Sequence, residues 1–371
     1  MYYRDFSIIK SSLFIYSGED SIAVIPDGVT RIEKRAFECC LNIEEVIIPN
    51  TVTEIEDFAF KGCANLKKIN IPASVISIGI SVFSDCTSLA NIKISRGVTT
   101  ITNGMFSNCT NLKSITLPPS VTAIGANAFL GCKSLKNITI PDSVLSIGYH
   151  AFYGCPKLQD KNGYFIRNGV LFGYFNPYRL ANIPNEVQTI GPGAFIGCEE
   201  IYDVTIPDSV NKIGNSAFSN CSSLHKITIP ESVTEIGEYA FYKCKWLKKI
   251  IIPNGVTAIK KSTFDTCTFL EEVSIPNSVT TIEDYAFYKC EWLKKIIIPN
   301  GVKSIGANAF GNCNWLTDVV IPNSVKKIDR SAFDCFGLRY DRKITIHAPA
   351  GSYAEEYAKS KRIPFIAIDT D

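Results

Sequence analysis

Apolar and polar positions alternate along this chain in a fixed 23-residue sentence, spelled cleanly as Ile206-Pro207-Asp208-Ser209-Val210, Ile213-Gly214, Ala217-Phe218, Cys221, Leu224, Ile227 and Ile229. Thirteen phenylalanines anchor it: Phe37, Phe60, Phe83, Phe106, Phe129 and Phe152, then Phe195, Phe218, Phe241, Phe264, Phe287, Phe310 and Phe333. Val stands eight residues before each anchor and Ile five before it. Cys stands three after it in twelve copies, and Phe336 takes that place in the last. A short fixed period means a stacked array, because one unit cannot bury its own apolar side without neighbours.

Inside each copy the pattern predicts one short strand. Pairs of apolar residues two apart, such as Ile69 with Ile71 and Ile296 with Ile298, point both side chains inward. Pro72, Pro207 and Pro299 then end the strand, having no N–H to donate. Gly125, Gly214, Gly237 and Gly306 suit a corner with positive φ. Strands from successive copies would stack into one parallel sheet at roughly 4.8 Å per repeat.

The string Ile-Pro-x-Ser-Val-Thr-x-Ile-Gly-x-x-Ala-Phe-x-x-Cys-x-x-Leu-x-x-Ile-x-Ile resembles the BspA-like class of leucine-rich repeats over nearly all 371 residues. The fold this implies is an α/β leucine-rich-repeat right-handed solenoid, a horseshoe or rod. It has one parallel sheet of short strands, little helix and thirteen 23-residue repeats.

The expected organisation is one continuous solenoid. Residues 1–25 form an N-terminal cap hairpin and 26–158 carry repeats 1–6. Residues 159–183 form an inserted hairpin module, 184–346 carry repeats 7–13, and 347–371 form a helix-strand cap. The two hairpin modules match without a gap at an offset of 158, Tyr16 falling on Tyr174 and Pro26 on Pro184. Asn168-Gly169 between apolar runs signals a two-residue hairpin turn. After Phe333 the pattern decays: Arg339 falls where Leu belongs, and the strand pair moves to Ile344 and Ile346. Ser352 with Glu355 forms a capping box for a helix with Tyr353, Tyr357 and Ala358 on one face. The segment from Gly351 to Ala358 resembles the endings of BspA-like proteins.

Charge adds little direction. Thirty-eight basic residues face 36 acidic ones, so no net field favours nucleic acid. The apolar runs are too short for a transmembrane helix, so no membrane insertion is expected. The start Met1-Tyr2-Tyr3-Arg4-Asp5 lacks the charged and apolar regions of a signal peptide. Fourteen cysteines, twelve of them in one line from Cys40 to Cys313, read as a ladder of reduced structural thiols. Vicinal Cys39-Cys40 and off-register Cys335 are the thiols expected to be exposed. Metal ligands must converge, and these run along a line.

Catalytic signatures are missing from the sequence, and no catalytic, cofactor or metal residue is assigned. His150, His225 and His347 fall in unrelated repeat contexts, and the carboxylate pairs Glu44-Glu45 and Glu271-Glu272 take outward strand positions. Between the inward strand residues runs an outward line including Thr228, Ile251, Ser274 and Ile297. Two residues before it run Lys226, Lys249, Glu272, Lys295 and Asp318, a charge ladder or a recognition stripe.

The sharper feature is aromatic. Five residues after the anchor, early copies carry Asn42, Asn65, Ser88, Asn111 and Ser134, whereas later copies carry Trp246, Phe269, Trp292 and Trp315. Tyr239, Tyr242, Tyr285 and Tyr288 flank this line, with Lys249 and Lys295 following. These ten residues form the candidate partner-binding patch, since Trp and Tyr beside Lys suit a protein hot spot. The alternatives are a stacking ladder that stabilises the later repeats and a carbohydrate platform.

The reading is a non-enzymatic, monomeric repeat protein without cofactor that presents an extended surface to a protein partner. Resemblance to BspA-like proteins implies a microbial cell-surface or secreted adhesin, directed at host matrix or surface proteins. The alternatives are an intracellular structural scaffold in the cytoplasm and a carbohydrate-binding module.

Overall fold

A computed structural model describes residues 5–176, 178–335 and 344–369. Phe336 and Arg339, where the period was read to decay, lie outside the described residues, as do Met1 to Arg4. The chain divides into two compact units, Met1–Phe165 and Ile166–Asp371.

Each unit is a β-solenoid of the kind the 23-residue period predicts. Within the Ile166–Asp371 unit, Leu180–Asn182, Asp203–Thr205 and Lys226–Thr228 pair in parallel, with Ala181, Val204 and Ile227 in register. The inward pairs behave as expected: Ile69, Ile71, Ile296 and Ile298 are all buried. A second parallel ladder lies outside the sequence reading. It is built from two-residue strands such as Thr189–Ile190, Lys212–Ile213 and Glu235–Ile236, whose second residue is the repeated Ile.

The segment around the anchor forms the third side of each turn. The N–H groups of Tyr239, Phe241 and Lys243 donate to the carbonyls of Lys261, Thr263 and Asp265 in the next turn, at 3.0, 2.8 and 2.8 Å. Alternate residues must turn their amides along the stack to do this. The residues two before and two after the anchor therefore have positive φ, from Arg35 and Cys39 through to Asn308 and Asn312.

Stacking of the anchors forms the core. In the Met1–Phe165 unit, Tyr16, Phe37, Phe60, Phe83, Phe106, Phe129 and Phe152 form one column, Phe60 and Phe83 lying 5.7 Å apart and 8° from parallel. In the Ile166–Asp371 unit the column runs from Tyr174 through Phe195 to Phe333, and Tyr357 of the C-terminal helix meets its end. The matched tyrosines Tyr16 and Tyr174 thus each begin a column.

Polar side chains join the same stack. Each buried Cys from Cys63 onward in the Met1–Phe165 unit donates its thiol to the carbonyl of the preceding anchor, as Cys63 does to Phe37 at 3.0 Å. The Ser of the Ser-Val pair also reaches back: Ser209 Oγ donates to the Val187 carbonyl at 2.7 Å. Ser324 Oγ is buried without such a partner.

Three local expectations are corrected. Gly125, Gly214, Gly237 and Gly306 have no positive φ. Their constraint is close approach, since a Cβ on Gly237 would sit 2.5 Å from the Asn215 backbone N. The displaced strand pair is Ile346 with Ala348, because Val319 pairs with Ile346 and leaves Ile344 before the strand Thr345–Ala348. Helix α1 (Tyr353–Lys361) buries Ala354, Tyr357 and Ala358, while Tyr353 is 38% exposed. Residues at i, i+3 and i+4 share the inner face, which turns Tyr353 outward. The cap itself forms: Glu355 N–H donates to Ser352 Oγ at 3.3 Å, and Glu355 Oε2 accepts from Gly351 N–H at 2.6 Å. The two-residue hairpin turns also form, with φ of 48° and 66° at Lys10-Ser11 and 50° and 73° at Asn168-Gly169.

Candidate partner-binding surface

Trp246, Phe269, Trp292 and Trp315 occupy the corner between the buried Cys and the inward Leu of four successive turns. Their backbones are held in line, for Phe269, Trp292 and Trp315 each donate an N–H to a carbonyl of the preceding turn at 3.0 Å. The rings follow as one row. Centroid separations are 4.4 Å from Trp246 to Phe269, 5.3 Å to Trp292 and 6.3 Å to Trp315. Trp246 is 50% exposed and Trp292 41%, while Phe269 and Trp315 are half-buried. Trp246 and Phe269 stack face to face, 19° from parallel, whereas the next two pairs are tilted by 53° and 33°. In the Met1–Phe165 unit, Asn65 at this position donates its side-chain amide to the Leu41 carbonyl at 2.8 Å.

The tyrosines form two separate pairs. Tyr239 and Tyr242 meet edge to face at 5.9 Å, and Tyr285 and Tyr288 at 5.4 Å; none of the four touches the Trp row ring to ring. Lys243 lies over Tyr242, Lys289 lies over Tyr288, and Asn312 donates to the Tyr288 hydroxyl at 2.8 Å. Tyr239 and Tyr285 have φ of 56° and 58°, a left-handed conformation rare for a bulky residue.

Lys249 and Lys295 are exposed on the adjoining strand face. Lys249 pairs with Glu272 at 2.7 Å, and Lys226 lies 3.9 Å from Asp203. Lys295 stands in register with Asp318, whose carboxyl is held below its ordinary range by the Thr317 hydroxyl and by His347 at 2.9 Å. Much of the charge ladder thus satisfies itself across neighbouring strands. Glu44 and Glu45 behave likewise, pairing with Lys67 at 2.7 Å and Lys68 at 2.5 Å.

Two further features lie outside the candidate patch. Ile251 and Ile297 are exposed on the strand face beside the row. In the Met1–Phe165 unit, His150 stacks between Tyr149 and Tyr153 at 3.6 and 4.7 Å, and burial lowers its pKa. His150 and Tyr153 hold the same repeat positions as Tyr239 and Tyr242, and that coincidence was the available signal. Among the described residues, no group of three or more His, Cys, Asp or Glu side chains is placed to hold a metal. No helix among them is long and apolar enough to cross a membrane.

A family profile for the BspA type leucine rich repeat region matches residues 7–135, 103–162, 171–292 and 257–348. The chain belongs to the BspA-type leucine-rich repeat family. No curated protein matches it. Among solved structures, a leucine-rich repeat protein from Bacteroides ovatus is 29% identical, with a TM-score of 0.45; the alignment covers 97% of this chain and 94% of that one. A leucine rich cell surface protein from Faecalibacterium prausnitzii is 30% identical, with a TM-score of 0.39, over 88% of this chain and 91% of that one. BspA-type proteins are non-catalytic repeat scaffolds that generally bind other proteins.

Proposed function

We propose that this BspA-type scaffold captures a protein partner through the aromatic row of the Ile166–Asp371 unit, as an adhesin at a microbial surface. The observation that carries the reading is the row itself: four aromatic side chains in contact, two of them at least 41% exposed, where other turns place Asn, Ser, Lys157 or Glu200. Half-exposed Trp side chains, flanked by lysines and carboxylates, match a hot spot with a polar rim. Surface placement follows the family resemblance and directs the search toward host matrix and surface proteins.

A carbohydrate platform fits less well. Trp246 and Phe269 lie 4.4 Å apart and 19° from parallel, so each covers one ring face of the other against a sugar. An intracellular scaffold is the other reading, and it rests on the many thiols.

The test pairs location with binding. Protease shaving of intact cells should remove the protein. A panel of purified matrix glycoproteins should then contain one that the wild type binds and Trp292→Ser binds at least about tenfold more weakly. Protein protected from shaving contradicts the adhesin. Equal binding by wild type and Trp292→Ser contradicts the row.

A further inference from the structure

The strand Ile22–Val24 pairs on one side only, with Glu45–Ile47, Ala23 standing opposite Val46. Ser21 O accepts from Glu45 N–H and Ile25 N–H donates to Ile47 O, both at 3.0 Å, so residues 21, 23 and 25 face that neighbour. The N–H and C=O groups of Ile22 and Val24 therefore point the other way. Nothing among the described residues pairs with them. Their side chains are 51% and 55% exposed, so this is an open apolar strand edge, which sheet proteins ordinarily cover or charge.

The last strand, Phe365–Ala367, has the complementary edge. It pairs only with Thr345–Ala348, with Phe365 opposite Ile346. Ile346 N–H donates to Pro364 O at 2.9 Å and Ile368 N–H to Ala348 O at 3.1 Å, so residues 364, 366 and 368 face inward along the stack. The main-chain groups of Phe365 and Ala367 point outward. Each unit's other strand ladder closes differently. An antiparallel strand, Phe6–Ile9, begins the ladder that contains Arg31–Ile32, and Tyr357 of α1 donates to Arg330 O just beyond Lys327–Ile328.

We propose that copies of this chain associate head to tail, the Phe365–Ala367 edge of one copy adding in parallel to the Ile22–Val24 edge of the next. Setting Phe365 opposite Ala23 keeps the ladder's own register, in which a core residue faces the following strand and its neighbours face the preceding one. Four bonds follow: Ile22 N–H to Ile363 O, Phe365 N–H to Ile22 O, Val24 N–H to Phe365 O, and Ala367 N–H to Val24 O. The same register sets Arg362 of one copy opposite Asp20 of the next. Both are exposed, and neither has an ion-pair partner among the described residues. Glu19 adds a second acid at this end. A head-to-tail contact in this register joins acid to base. Such heterologous contacts propagate as open chains.

Sedimentation equilibrium across a wide concentration range, at low and high salt, tests this on the full chain. Wild-type mass should climb above the 40.9 kDa of one copy, and less steeply in high salt. Asp20→Arg and Arg362→Asp should each weaken association at least about tenfold, and the double variant should restore it. Val24→Pro removes an outward N–H that no bond among the described residues uses, and should hold the mass at one copy while the circular dichroism is unchanged. A wild type fixed at 40.9 kDa throughout would overturn the proposal. Single charge variants that associate as the wild type does would equally overturn it.

Discussion

The thiol of Cys244 donates to the backbone carbonyl of Phe218, 3.1 Å away in the preceding turn. The same bond joins Cys290 to Phe264 and Cys313 to Phe287, both at 3.2 Å. Cys suits the position because it fills a small apolar space and still supplies a donor. Alanine removes the thiol donor, while the carbonyl keeps its bond from the Cys221 N–H at 3.1 Å. Cys244→Ala should therefore cost only the net worth of one hydrogen bond, about 0.5–1.5 kcal/mol, in denaturant unfolding. An unchanged midpoint would mean that the thiol only packs.

These thiols also set the response to alkali. A free thiol titrates near 9, and burial pushes Cys63 and Cys198 up to about 12. Between those values the unfolded chain has lost the proton and the folded chain keeps it, so folding weakens as pH rises. Stability should be level up to about pH 9 and fall above it, each such thiol contributing about 1.4 kcal/mol per pH unit. Urea titrations from neutral pH to 11 would show this. A flat profile would contradict it.

Exposure should sort the thiols by rate. Cys39 and Cys335 are exposed, Cys40 and Cys198 are half-buried, and the others are buried. Brief alkylation of native protein, read by peptide mass spectrometry, should mark Cys39 and Cys335 first. Rapid marking of Cys244 would show that the array opens more readily than its packing implies.

Gly237 separates close approach from backbone freedom. A Cβ there would meet Asn215 N at 2.5 Å and its Oδ1 at 2.6 Å. Gly237→Ala should destabilise by about 1–3 kcal/mol, the range for forced overpacking. A neutral melt would show that the turn spacing relaxes to admit a methyl group.

The period was legible because its residues are the buried ones: each anchor Phe and its partners Val and Ile lie in the core, as the repeat required. The second ladder was not. Strands such as Lys212–Ile213 are two residues long, too short for alternation to show. Nor were the left-handed turns, which Arg35, Phe58, Tyr239 and Lys243 share without a common side chain. Hydrogen bonds along the stack impose that conformation, so no residue preference announces it. For the aromatic row, sequence located the substitution but not the geometry. That Trp246 and Trp292 stand half out of the surface, and that the tyrosine pairs do not touch them, depends on how the turns stack.

All three tryptophans of the chain lie in the row. The most direct measurement is therefore fluorine NMR of protein carrying 5-fluorotryptophan, recorded while the matrix glycoprotein identified by panel binding is added. The account predicts that the resonances of Trp246, Trp292 and Trp315 shift or broaden together as the partner binds. Binding that leaves all three unmoved would place recognition elsewhere and reduce the row to a stack that stabilises the later repeats.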